Sequence, residues 1–145
     1  GGPMLEYQKT IEVLRGYLES KGIYLAKGNF DAYFHPEKTV VYNHKLRNKN
    51  NQIYSILHEI GHMLAFTGNR QAYREKFPVL YKQRFGQGGI NKRTNRYRME
   101  TVVEEWDAWK RGERLAKKLN LDIDFDKYYT YASRQVKTYY DGVME

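Results

Sequence analysis

The sequence predicts a compact α+β domain, a small twisted antiparallel sheet set among helices. Three observations carry this. Apolar residues recur with helical spacing in four separate stretches, and three short runs rich in β-branched and aromatic residues lie together in the first third of the chain. The length, 145 residues, is one domain's worth of chain. A chain of about 150 residues buries roughly 70% of its unfolded surface, so a real core is within reach.

Gly1 to Pro3 read as a cloning remnant ahead of a natural start at Met4, so the domain is taken as residues 4–145. Tyr7, Ile11, Leu14 and Leu18 recur at intervals of 4, 3 and 4, which is a helical stripe. Gly22 suits the position just past its end. Ile23-Tyr24-Leu25-Ala26, Ala32-Tyr33-Phe34 and Thr39-Val40-Val41-Tyr42 follow as strands. Lys27-Gly28-Asn29 and His35-Pro36-Glu37-Lys38 read as tight turns, which predicts that neighbouring strands pair antiparallel.

From 51 to 67 the helical period returns. Ile53, Ile56, Leu57, Ile60 and Leu64 make one apolar face, and Gly68 ends it. Residues 68–98 read as an inserted basic loop region with one apolar cluster, Phe77-Pro78-Val79-Leu80-Tyr81. An excursion this long is usually functional or mobile. Two more helices are expected over 99–119 and 126–141, the last with Tyr128, Tyr131, Ala132, Gln135 and Tyr139 on one side.

There is no cysteine, which excludes disulfides, thiolate metal sites and a cysteine nucleophile. It also fits a reducing compartment. No apolar run approaches the roughly 20 residues of a membrane helix, and no signal-peptide core follows Met4. The expectation is a cytoplasmic protein with no membrane partner.

Net charge is +8, and one segment carries all of it. Between Arg70 and Arg98 nine basic residues meet a single acid, Glu75, while the rest of the chain balances at 16 against 16. Tyr73, Tyr81, Phe85 and Tyr97 interleave with those cations. The 70–98 segment is therefore a candidate contact for nucleic acid or an acidic partner. A solvated, lid-like loop is the plainer reading.

Residues 57–64 read Leu57-His58-Glu59-Ile60-Gly61-His62-Met63-Leu64, an H-E-x-x-H pattern inside an expected helix. Positions i and i+4 share a helix face, with Cβ atoms about 5–6 Å apart. Two imidazoles there can reach one ion at about 2.0–2.1 Å. Glu59, one residue along, stands to the side, where it can take a proton from a water attacking a carbonyl. Gly61 leaves room for a close neighbour. The plain alternative is two histidines on an ordinary helix.

Catalytic zinc takes three protein ligands and keeps one position open. His35 and His44 lie upstream at turns. Downstream stand Glu100, Glu104, Glu105 and Asp107. Val102, Trp106, Trp109, Ala116 and Leu119 define the expected buried stripe of that helix, and Glu105 falls on it. A carboxylate there must be paired or bind a metal, since burying it bare is costly. Glu104 falls to the side with Ala108, Arg111 and Leu115, and it and Glu100 remain alternatives. A solvated acidic face pairing Glu104 or Asp107 with Arg111 is the rival to all three.

The run Thr39-Val40-Val41-Tyr42-Asn43, a polar spacer and Ile56-Leu57-His58-Glu59-Ile60-Gly61-His62 resemble the ImmA/IrrE family of metallopeptidases and its phage-encoded relatives. Glu105-Trp106-Asp107-Ala108-Trp109 is similar to that family's later Glu-bearing helix, and the resemblance spans about residues 23–120. It implies a zincin-like domain, zinc ligands His58, His62 and Glu105, and Glu59 as base. It also implies a specific protein substrate, such as a repressor, in a bacterium or a phage-infected cell. The family's spacing between motif and third ligand is shorter, which makes 68–98 look inserted. Its relation to SprT-like enzymes is weaker, because Met63-Leu64-Ala65-Phe66-Thr67-Gly68 offers no third histidine.

The expected function is zinc-dependent peptide hydrolysis. The strand around Val40-Val41-Tyr42 is the candidate edge for an extended peptide, and Tyr131 or Arg134 the candidate donor to a developing oxyanion. The alternatives are a nucleic-acid-binding protein with a structural or vestigial zincin core, and a DNA-stimulated protease.

Overall fold

The computed structural model describes residues 3–86 and 89–144. The chain runs α1 (Pro3–Ser20), β1 (Tyr24–Gly28), β2 (Ala32–Phe34), β3 (Thr39–Asn43), α2 (Lys49–Thr67), α3 (Arg70–Lys76), α4 (Pro78–Phe85), α5 (Asn95–Lys118) and α6 (Phe125–Met144). It is an α+β fold with six helices and one three-stranded sheet among the described residues.

Ile11, Leu14 and Leu18 bury one face of α1. Its end is set by Gly22, whose φ of 74° only glycine adopts without strain, and by the Ile23 amide returning to the Leu18 carbonyl at 2.9 Å.

The sheet departs from the expected all-antiparallel pairing. Its order is β1-β3-β2, with β1 parallel and β2 antiparallel to β3. The link at 29–31 is not a hairpin turn. It carries the chain past the end of β3's place to the far edge, a span of about 10 Å that three residues can cover. β3 then inserts between, with Val40 and Tyr42 buried.

α2 is the axis of the molecule. Asn48 caps it, accepting the Asn51 amide at 3.1 Å. Residues Gln52 through Gly61 are all buried, so the helix is enclosed on every side rather than along the single stripe its leucines and isoleucines suggest. Gln52 is fully buried yet satisfied: it accepts from the Tyr7 hydroxyl at 2.6 Å and donates to the carbonyls of His44 and Leu46 at 3.1 and 2.7 Å. It thereby fixes the loop that feeds α2.

α5 lies against α2 at unusually close range. A Cβ placed on Gly61 would sit 2.0 Å from the Ala108 carbonyl oxygen, and one on Gly112 would sit 2.8 Å from the Leu57 carbonyl oxygen. The buried face of α5 is Glu100, Glu104, Glu105, Ala108, Trp109, Gly112, Leu115 and Ala116. This corrects the expected stripe: Val102 and Trp106 are only partly buried, because the small residues Ala108 and Gly112 permit the closest approach and turn the helix toward themselves. α6 closes the core, with the Tyr128 hydroxyl donating to the Trp109 carbonyl.

The 68–98 segment, expected as a loop, holds two helices. Asn69 caps α3, accepting the Ala72 amide at 3.0 Å, and Pro78 opens α4. Tyr73, Phe77 and Leu80 bury themselves with Ala65 of α2 in a second small core. Of the described residues, no helix is long and apolar enough to cross a membrane.

Candidate metal centre

The close packing of α2 and α5 brings His58, His62 and Glu105 together. His58 Nε2 lies 2.7 Å and His62 Nε2 3.2 Å from the same oxygen, Glu105 Oε2. His58 and Glu105 are buried and His62 half-buried. The two imidazole rings stand 4.5 Å apart, and the His58 ring lies flat on Trp109.

The nitrogens turned away from Glu105 also face carboxylates. His58 Nδ1 is 3.1 Å from Glu59 Oε2, within hydrogen-bond reach, and His62 Nδ1 is 3.9 Å from Glu104 Oε1, an ion-pair distance too long for a hydrogen bond. Metal-binding histidines almost always offer their second nitrogen to such a group.

The electrostatics follow from this crowding. Burial alone would push the His58 imidazole down. Hydrogen bonds to Glu105 and Glu59, with their charges, overcome it and raise His58 from 6.5 to about 9. Burial likewise opposes ionisation of Glu105, but the two histidines hold it well below the usual carboxylate range.

The donor set fits a metal ion. Three ligand atoms, two imidazole nitrogens and one carboxylate oxygen, lie within 4.8 Å of one another. In a tetrahedral shell with bonds of about 2.0–2.1 Å, ligand atoms sit roughly 3.3 Å apart. The observed 2.7 and 3.2 Å separations need only small side-chain movements to reach that. One side of the cluster opens into a cleft of about 250 Å³ lined by Asp31, Ala32, Tyr33, Glu59, Arg84 and Tyr139 together with His58, His62 and Glu105. Larger hollows border α1, remote from these groups.

The other candidates are elsewhere. His35 Nδ1 pairs with the Tyr33 hydroxyl at 2.9 Å, and His44 Nδ1 with the Gly28 carbonyl at 2.8 Å. Glu100 accepts the Val79 and Leu80 amides at 3.0 and 3.1 Å and Arg96 Nε at 2.7 Å. Glu104, expected at the side of its helix, is buried; it accepts from the Tyr73 hydroxyl and from Arg84 Nη2, the latter at 2.7 Å. Asp107 bonds Arg111 Nε at 2.8 Å.

Two expectations about substrate contacts change. β3 is the central strand, so it has no free edge, and the edge that borders the cleft is β2. Tyr131 pairs with Ser55 Oγ at 3.2 Å, and Arg134 lines a different hollow with Asn48 and Tyr54. The hydroxyl beside the cluster is that of Tyr139, a residue 43% exposed overall; partial burial of the hydroxyl and the charges of Glu105 and Glu59 push its pKa up to about 12.

Asp31 joins the site without any sequence signal for it. It accepts the Asn43 amide at 2.8 Å and faces the cleft, and burial raises its pKa, with the nearby Glu59 charge adding to this. An acid in a short link between strands carries no local signal of such a place. Arg84 was seen only as one of nine cations; its pairing depends on the fold of α4.

Compared with family models, with curated proteins and with solved structures, the chain matches none.

Proposed function

We propose that this protein is a zinc-dependent peptidase that hydrolyses a peptide bond in a specific protein target. The observation that carries the reading is the convergence of His58, His62 and Glu105 on one point at the floor of a cleft, with Glu59 beside it. Two histidines and a glutamate are a known catalytic zinc set. Bound there, zinc supplies Lewis acidity, bringing the pKa of water toward about 7 and polarising a carbonyl.

The chain's own groups supply the rest. Glu59 takes a proton from the attacking water and passes it to the leaving amine as the carbon–nitrogen bond breaks. One Glu59 oxygen is engaged by His58 Nδ1, which orients the carboxylate and leaves the other oxygen for the proton. An extended substrate pairs with the free edge of β2, where Ala32 and Tyr33 line the cleft. Tyr139, protonated at neutral pH, donates to the carbonyl oxygen as it gains charge. The absence of cysteine and the resemblance stated above favour action in the cytoplasm of a bacterium or phage-infected cell.

The rival readings rest on the basic segment. Several of its cations already pair within the chain: Arg84 with Glu104, and the more exposed Arg96 with Glu100 and Lys76 with Asp107, while Arg70 and Arg74 lie over Phe85 and Tyr81. Charge used in this way favours the peptidase over a nucleic-acid surface. DNA binding far tighter at 50 mM than at 300 mM salt would restore that rival, given the steep salt slope of phosphate contacts.

The test combines metal content by mass spectrometry with cleavage of the intact proteins of bacterial and phage-infected lysates, read as new peptide ends. The expected result is about one zinc per chain in wild type and Glu59→Gln, with loss in His58→Ala and Glu105→Ala. New peptide ends should appear with wild type and not with Glu59→Gln. A zinc-loaded protein that cuts nothing would defeat the peptidase reading, and a wild type that takes up no metal would defeat the metal centre as well.

A further inference from the structure

α5 buries three carboxylates, Glu100, Glu104 and Glu105, each no more than 7% exposed. Buried charges need partners. Glu105 has the histidines. The partners of the other two come from the segment between α2 and α5 and the first turn of α5. Glu100 accepts the opening amides of α4, and Glu104 is held by Tyr73 of α3 on one oxygen and by Arg84 of α4 on the other. The oxygen bonded to Arg84 is the one that faces His62 Nδ1.

We propose that Glu104 is a positioning residue for His62 and that α3 and α4 are the brace that holds it there. The inference rests on the metal-centre reading above. His62 can ligate through Nε2 only if Nδ1 keeps its hydrogen. The Glu104 oxygen stands 3.9 Å from Nδ1, beyond hydrogen-bond reach; closing that gap as His62 takes up a metal would select that form and set the ring plane. Left alone, a glutamate here would be free to turn away; the Tyr73 hydroxyl on one oxygen and the Arg84 guanidinium on the other fix where the carboxylate points. On this account the inserted segment is part of the metal centre. It belongs to the site through Glu104, and two of its nine cations, Arg84 and Arg96, serve to neutralise the buried acids of α5.

The experiment measures zinc affinity by chelator competition, well below the melting temperature, alongside melting of each metal-free variant. Glu104→Gln, Tyr73→Phe and Arg84→Gln are expected to weaken zinc binding about 10–100-fold, the usual effect of losing such a support. Arg84→Lys, which keeps a cation beside Glu104, should recover most of it. If Glu104→Gln does not fold, the two brace variants carry the test. Zinc affinities within about twofold of wild type, whatever happens to melting, would reduce Glu104 to a packing anchor and overturn the inference. A wild type that binds no zinc would overturn it together with the metal centre. Zinc binding needs no turnover, so Glu104-dependent affinity in a protein that cleaves nothing would sustain this inference while the peptidase reading fell.

Discussion

The His58 ring lies on the Trp109 indole, centroids 4.1 Å apart and planes 7° from parallel. Trp109 is itself buried and wedged edge-on against Tyr128 and Tyr131, so the imidazole is clamped in one plane by the core of the protein. Trp109 Nε1 finds no acceptor among the described residues.

Trp109→Phe removes no hydrogen bond and keeps an aromatic face for His58, so metal content should persist. Trp109→Ala should cost about 3–5 kcal/mol of stability, as large core truncations do. Chemical denaturation and zinc content of the two variants check this. Equal zinc loss in both would mean that the stacked face does not hold the ring.

Gly61→Ala should damage the site without touching a ligand. The added methyl would stand 2.0 Å from the Ala108 carbonyl oxygen, a backbone atom that cannot turn aside. The helices must separate, at about 1–3 kcal/mol for overpacking of this kind. Glu105 then withdraws from the histidines. The expected readout is a lower melting temperature with weakened zinc binding. Wild-type values for both would show that α5 shifts freely.

The metal-free protein should have its stability maximum in mildly acidic solution. His58 is raised from 6.5 to about 9, so its contribution is complete below 6.5 and fades as pH climbs through 9. Glu105 is depressed from 4.5, so its contribution is complete above 4.5 and fades as pH falls toward its lowered value. The two overlap between about 4.5 and 6.5. Melting temperatures of chelator-treated protein should peak there and decline toward pH 9. Zinc-saturated protein should instead gain stability as pH rises from 5, because ligation requires the histidines without their extra proton. A flat profile for the metal-free form would refute the raised His58 and lowered Glu105.

Tyr139→Phe should leave zinc content unchanged and lower kcat by about 10²-fold, the scale of losing one donor to a developing oxyanion. With its pKa near 12, the hydroxyl remains a donor across the neutral range, so the wild-type pH profile should show no limb from it. An unchanged kcat would move the donor role to another group of the cleft, with Arg84 next in place.

How much of this was legible beforehand follows from the range over which each signal acts. The His58–Glu59–His62 spacing is local, and helix geometry alone puts the two imidazoles on one face. The three strands and four of the helices show in apolar periodicity to within a few residues. Strand order does not, because a three-residue link can either fold back as a hairpin or step across a strand, and only the packing of β3 on α2 decides. The stripe of α5 was misjudged because Trp106 looks like a core residue, while Ala108 and Gly112, which make the real contact, look like spacers. α3 and α4 are short, and their signals, Asn69 as a cap and Pro78 at a first turn, are easily hidden in a run of charge. Asp31, Arg84 and Tyr139 meet the site only through tertiary structure.

The enclosure of α2 has a consequence for how this molecule comes apart. A helix walled in by β3, α5, α6 and α1 has no low-energy route for exposing its backbone amides to solvent. Deuterium should enter the segment around His58 only when the whole domain opens, while α3 and α4 exchange earlier through local fraying. The histidine pair therefore stays on an intact helix when α3 and α4 open, although that opening releases Glu104 from Tyr73 and Arg84 and should loosen the ion before the core collapses.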